Sequence, residues 1–361
     1  MIKIVKKAES SNLQANMLRI ASCLIALCAA AVFIALLGYN PFVVYGEIIK
    51  GSTGTLHRFQ ETINKAIPLI ILSLGISVSF KMKFSNIGAE GQFYMGALAA
   101  AFVVYKLPPM PMAVIIPLMI LASMAFGALW CLFPAVLKLK FGTNETLVTL
   151  MMNYIAIKWI SYLQYGPWKD PKAQGFPKMP KFYDAAVLPK VFGIHAGWII
   201  ALVLVLIIYV LMSKSKLGYE IAVMGENQQT AKYAGMNTGR ILLTAVIISG
   251  GLCGIAGMVQ ASAMERSLSD QLSGGLGFTA IITAWLARLS APAILVVSLL
   301  FAMLLQGSSY IQSAMQIPSA VAEILQGIIL FFVLASEFFT QYKFVLKTSK
   351  KSSAVKKEVD A

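Results

Sequence analysis

Charge is scarce in this 361-residue sequence. Asp, Glu, Lys and Arg together make up 12% of it, against about a quarter in a soluble globular chain. Histidine is almost missing. His57 and His195 are the only two, far apart in sequence and each in a polar stretch. The four cysteines, Cys23, Cys28, Cys131 and Cys253, all lie inside apolar runs, where a thiol behaves as a small hydrophobe. No CxxC, HExxH or GxSxG occurs, so neither a metal site nor a nucleophilic enzyme site is indicated. No GxxxxGK[ST] occurs either. If nucleotide hydrolysis drives this protein, a separate chain must supply it.

What is abundant is apolar sequence. The hydrophobic share is 58%, gathered into runs that reach or approach the roughly 20 residues needed to cross a bilayer. These runs do not alternate in segments of about ten, which argues against a barrel. The sequence predicts an all-α polytopic membrane protein. The net charge of +15 is explained by Lys and Arg beside the spans, and no nucleic-acid partner is expected. Residues 1–16 read as a polar N-terminal segment. Residues 17–39 read as a first, uncleaved span, despite a faint lipoprotein-like Ile20-Ala21-Ser22-Cys23. Residues 40–61 read as an exposed loop. Further spans are expected near 63–80, 85–105, 111–137, 143–165, 196–213, 241–262, 291–310 and 319–340. A short glycine-rich piece lies at 274–288, and the tail from 341 to 361 reads as basic and unstructured.

Between two of these spans lies a polar segment, Lys214–Arg240. Joining two helices takes two to eight residues, so a stretch this long has another use. Glycines at 218, 225, 235 and 239 should break it into short helical pieces. It reads as a docking surface for a cytoplasmic partner. With the N-terminus inside and residues 274–288 counted as a short crossing, about ten crossings result and the C-terminus is inside too. Most Lys and Arg then face the cytoplasm, although the five lysines of the proline-rich outer loop at 166–195 run against that bias.

Polar residues at membrane depth are costly, and they face a cavity or another helix. Asn86, Glu90 and Gln92, with Gly88 and Gly91, suggest a helix that begins within the membrane. A turn with a capped helix fits the same residues. Gly274–Arg288, GGLGFTAIITAWLAR, is a second short glycine-broken segment. Such a pair marks the substrate path of a transporter, while a single ordinary short span explains the second piece equally simply. Asn153 and Trp159 line a path or make interhelical hydrogen bonds. Asn144 and Glu145 read as a helix start.

Four motifs then combine in order: NIGAEGQ, NETLVTLMMNYIA, GENQQTAKYAGMN and the glycine-rich piece ending WLARLSAP. The combination resembles the permease subunits of bacterial ABC importers for nucleosides and simple sugars, the ribose-permease-related family. It covers roughly residues 60–335, and the nucleoside branch is the nearer match. The resemblance implies the ABC importer permease fold, a cell-membrane location and no cofactor. It implies three protein partners: an ABC ATPase subunit, a second permease subunit and an extracytoplasmic solute-binding lipoprotein. By the same resemblance Gly225, Glu226, Asn227, Ala231, Ala234 and Gly235 form the segment that couples to the ATPase. The substrate path is expected at Asn86, Glu90, Gln92, Phe93, Asn153 and Trp285. The string Ala287-Arg288-Leu289-Ser290-Ala291-Pro292 departs from the family, which has glycine before the arginine and Asn-Pro after it.

Overall fold

The computed structural model describes residues 2–6, 12–173, 175, 177–318 and 342–346, and residues between 320 and 335 in part. The chain falls into two units, residues 1–42 with 323–361, and residues 43–322. In the first, helix α1 spans Asn12–Leu36, so the first helix starts within the segment expected to be polar and separate. Strand Ile2–Lys6 pairs antiparallel with Tyr342–Leu346. That corrects the expectation of an unstructured tail for those five positions, whose alternating Tyr, Phe and Leu favour a strand. The expected last span at 319–340 and the tail beyond 346 lie largely outside the described residues.

The second unit holds α2 (Pro41–Thr53), α3 (Leu56–Lys81), α4 (Ala89–Lys106), α5 (Met112–Phe141), α6 (Glu145–Tyr165), α7 (Gly197–Lys214), α8 (Lys216–Glu226), α9 (Gln228–Tyr233), α10 (Thr238–Val259), α11 (Leu276–Leu286) and α12 (Ala291–Met315). A π-helical turn, Gln260–Glu265, extends α10. The exposed loop expected at 40–61 is instead helical. Asn40 accepts the Phe42 N–H at 3.0 Å, Pro41 occupies the position where a helix tolerates it, and PFVVYGEII supplies an apolar face. Six described helices are long and apolar enough to cross a membrane, seven if α1 and α2 count as one bent span. α4 is not among the six, because its first turns carry Glu90 and Gln92. It is nonetheless the most enclosed helix, buried from Ala89 to Val104 apart from Phe102.

Helix association in a bilayer depends on close van der Waals packing, because lipid is as apolar as leucine. α10 achieves it with glycine. A methyl group at Gly250 or Gly254 would overlap α5 backbone at Gly127 or Ser123, and one at Gly257 would overlap the Phe93 carbonyl of α4. Gly96 of α4 meets Gly254 in the same way. By contrast α7 turns Leu202, Val203, Leu206, Ile207 and Val210 outward, a surface suited only to lipid or another apolar partner.

Contacts sort the loops of this unit into two ends. At one end the close of α3 meets α8, where a methyl on Gly225 would overlap the Lys81 carbonyl. The same end holds the α5–α6 turn, where Lys138 pairs with Glu145. At the other end residues 166–195 fold back over the bundle. Phe182 N–H bonds Arg266 O at 2.8 Å, Leu188 N–H bonds Ser262 Oγ at 3.1 Å, and Tyr105 Oη donates to Pro180 O at 2.6 Å. A small hairpin, Lys190–Val191 with Ile194–His195, turns at Phe192 and Gly193, whose φ angles are +56° and +81°.

His195 fastens this hairpin to α3. Its N–H bonds Asn64 Oδ1 at 3.2 Å, and the ring is 2% exposed. Burial lowers its pKa to about 4, against a contact of ring Nε2 with Asn64 O at 3.4 Å that raises it and together with nearby Lys190 that lowers it further. The unfolded ring titrates near 6.5, so it takes up protons first as pH falls. The stability from this group is therefore complete above pH 6.5 and is lost between 6.5 and 4, by as much as about 3 kcal/mol. Acidification to pH 4.5 should speed proteolysis within 166–195. His195→Gln should reduce that pH dependence, as followed by limited digestion in detergent.

Candidate functional site

Two features stand out: the start of α4 against the start of α11, and the α8–α9 segment. After α3 ends at Lys81, residues 82–88 run without helix into the bundle. Asn86 is fully buried and meets Ser249, whose hydroxyl accepts its Nδ2 at 3.3 Å. Ser249 lies about 16 Å along α10 from Thr238 at 1.5 Å per residue. Helix α4 therefore begins deep in the bundle.

Its unsatisfied first-turn amides are capped by other elements. Gly91 N–H bonds Asn153 Oδ1 at 2.8 Å, while Asn153 Nδ2 donates to Ile87 O at 2.9 Å. Asn86 Oδ1 accepts from Gly88 N–H at 3.0 Å and from Gln92 Nε2 at 2.9 Å. Asn86 Nδ2 returns a bond to Gln92 Oε1 at 3.2 Å, and Thr149 Oγ1 accepts the Ile87 N–H at 3.2 Å. The amide groups of Asn86, Gln92 and Asn153 are thus engaged with this chain's own groups. Glycines at 88 and 91 suit the close packing here, because a methyl on either would press on Thr149, Asn153 or neighbouring side chains at about 3 Å.

From the opposite side comes residues 266–275, irregular backbone that is tolerated at depth only against protein or water. Here it is against protein. Tyr94 Oη donates to Asp270 O at 2.7 Å and receives the Ser273 N–H at 3.3 Å. Gln164 Oε1 accepts the Asp270 N–H at 2.9 Å, and Ser161 donates to the Asp270 carboxylate at 3.0 Å. Gly274 and Gly275 take φ of +55° and +82°, conformations that glycine adopts freely, and α11 then begins. Its axis runs back along α3. Ser73 Oγ donates to Ala280 O at 3.2 Å, and Trp285 packs on Phe80 with centroids 5.6 Å apart.

The two helix starts meet at Glu90. Its Oε2 accepts the Gly277 N–H at 2.7 Å, and the residue is 3% exposed. A methyl on Gly277 would come within 2.5 Å of that oxygen and 2.6 Å of the Glu90 nitrogen. Glu90 therefore lies in the first turn of α4 and accepts from the first turn of α11, so one side chain joins the two helix starts. Of the six residues expected on the substrate path, Asn86, Glu90, Gln92, Phe93 and Asn153 are buried around the α4 start, and Trp285 is 44% exposed. Sequence reasoning missed Thr149, Ser249 and Gly277. Ser249 opens SGGLCG and Gly277 closes GGLG, and both strings were visible as small-residue clusters.

The α8–α9 segment does break into short helices, but of the four glycines only Gly235 marks a break; Gly218 and Gly225 lie inside α8 and Gly239 inside α10, and the other breaks fall at capping side chains. Ser215 caps α8 by accepting the Gly218 N–H at 3.1 Å. Asn227 caps α9 by accepting the Gln229 N–H at 2.8 Å. Gly235, at φ +74°, ends it, and Asn237 Oδ1 takes the Arg240 N–H at 3.0 Å to start α10. Lys83 Nζ reaches Glu226 O at 3.2 Å. Gly225 and Ala231 are buried, while Glu226, Asn227, Ala234 and Gly235 are exposed, as is Tyr233 at 90%. The segment is thus a capped pair of helices held to α3 and α10, with an exposed tip.

Residues 59–334 match the family described as branched-chain amino acid transport system / permease component. The chain belongs to that family. The permease is 32% identical over 333 residues to the glucose ABC transporter permease protein TsgB13 of Haloferax volcanii, covering 89% of this chain and 87% of that one. It is 30% identical over 340 residues to the guanosine ABC transporter permease protein NupP of Bacillus subtilis, covering 92% and 95%. It is 27% identical over 339 residues to the nucleoside ABC transporter permease protein NupB of Lactococcus lactis, covering 91% and 93%. The permease is an integral membrane protein and a transport component of an ABC system. The match extends through both helix starts and through the α8–α9 segment.

Proposed function

We propose that this permease, paired with a second permease subunit, forms the path by which nucleosides enter the cell across the plasma membrane. A separate ATPase subunit drives the pair, and an extracytoplasmic solute-binding lipoprotein delivers the solute to the 166–195 loop. The observation that carries this reading is the exposed, rigidly capped tip at Glu226–Gly235, tied through Gly225 and Lys83 to the end of α3. A force applied to that tip reaches α3, and α3 is bonded to α11. The chain then crosses about ten times with both termini inside, counting residues 274–288 as one short crossing. Asn86, Glu90, Gln92, Phe93 and Asn153 hold the wall of the path from behind. Trp285, half exposed, offers a face on which a base stacks, worth about 1–3 kcal/mol.

The test is Ala234→Trp, which adds bulk at an exposed position. Uptake of guanosine by reconstituted vesicles should fall at least tenfold, while membrane insertion and thermal stability stay unchanged. Unaltered uptake would remove the coupling role. A cysteine at Tyr233 should react with an impermeant reagent only in inverted vesicles; labelling from outside intact cells would overturn the orientation. The relative named for glucose supports a second reading, in which the solute is a simple sugar. Titrating the partner binding protein with guanosine and with glucose separates the two.

A further inference from the structure

Beside the exposed tip lies a cavity of about 450 Å³, between α8 and the turn from α9 into α10. Lys216, Tyr219, Glu220, Met236, Asn237 and Arg240 line it. Its charges do not balance. Glu220 already has a partner in Lys216 at 3.7 Å, on the same helix face. Arg240 is exposed, and among the described residues its guanidinium has no partner; only its backbone N–H is bound, by Asn237. Gly235 lines the cavity with open space over its Cα, which widens the mouth. The cavity is continuous with the exposed tip through Ala234 and Gly235. Lys232 lies on that tip.

We infer that this cavity receives an acidic side chain of the ATPase subunit, with Arg240 as the cation that binds it. Arginine presents a planar fork that holds a carboxylate through two parallel bonds. A lysine at that place would supply only a point charge. The partner is a protein because the cavity opens onto the same surface as the tip that the motor grips, so both are covered at once. The inference rests on the coupling role proposed above and adds the chemistry of recognition. An interfacial charge of this kind acts on association rate and salt dependence as well as affinity.

The experiment measures binding of the cognate ATPase subunit to the permease in nanodiscs, between low and moderate salt. Arg240→Glu should weaken binding at least tenfold and flatten its dependence on salt. Arg240→Lys should keep part of the affinity. Lys216→Glu should have a smaller effect, because Lys216 is already paired. Lys190→Glu, at the opposite end of the bundle, should change nothing. Thermal unfolding of both Arg240 variants should match the parent, since no side-chain bond of Arg240 is lost. Equal affinity and equal salt dependence for the parent and Arg240→Glu would overturn the inference while leaving the coupling role intact. Failure of the parent to hold the ATPase at all would overturn both. A loss by Arg240→Glu seen only in discs containing phosphatidylglycerol would reassign the cavity to an anionic lipid and overturn the inference.

Discussion

Gly257→Ala is expected to leave almost no folded permease in the membrane. The added methyl would overlap the Phe93 carbonyl and press on the backbone of Ala97. Neither neighbour can yield, because Phe93 and Ala97 are fully buried in α4, and α10 is itself buried from Ser249 to Val259. Overpacking of a well-filled core costs about 1–3 kcal/mol when side chains can shift. Here only backbone faces the methyl, so the cost lies at or above that range, a large part of the total stability of an ordinary domain. The reading is the yield of monodisperse protein in detergent and its thermal midpoint. Gly46→Ala is the matched comparison, since nothing lies within 4 Å of a methyl there. If both variants behave alike, the glycine seam between α4 and α10 is not what holds the bundle.

A second large effect is expected at Glu90. Replacing it with Ala leaves the buried Gly277 N–H without an acceptor, a penalty of about 1–3 kcal/mol. Replacing it with Gln keeps an acceptor oxygen for that N–H, so the loss should be smaller. Gly277→Ala attacks the same contact from the other side by forcing the two helix starts apart. Transport should therefore fall in the order Gln, Ala at Glu90, then Gly277→Ala. The Ala variant should lose at least tenfold in uptake, because about 1.4 kcal/mol is a factor of ten. ATP hydrolysis by the assembled complex should persist in the Gln variant but run with less solute moved per turnover. If Glu90→Ala transports as well as the parent, the joint between α4 and α11 has no part in the cycle.

Much of the fold could be read before any coordinates. Long apolar runs announced α3, α5, α6, α7, α10 and α12, because hydrophobic length is a direct physical requirement of the bilayer. The α8–α9 segment was legible for a different reason. Its length, polarity and Gly235 announced short helical pieces, while the caps Ser215, Asn227 and Asn237, which act within one turn of helix, were not singled out. The helix α2 was missed since its signal is weak: a short apolar stretch after Asn-Pro, interrupted by Gly46 and Glu47. At the candidate site, the paired broken segments were visible, but the partnership was not. That Glu90 reaches Gly277, 187 positions away, is set by tertiary packing, which no local pattern encodes. Asn86, Gln92 and Asn153 illustrate the same limit. Their cost at membrane depth marked them, yet only the geometry shows that they are occupied in closing helix ends.

The irregular approach to α11 bears on how the chain is built into its membrane. An 11-residue helix spans only about 16 Å, and the Arg266–Gly275 stretch before it offers bare peptide groups that hydrocarbon cannot solvate. Such a segment has no reason to leave an insertion channel sideways into lipid on its own. It can settle only after Tyr94, Ser161 and Gln164 are in position to accept it. Entry of this piece is therefore expected after α4 and α6, whose side chains accept it, which would make the closing of the bundle a step of maturation rather than of synthesis.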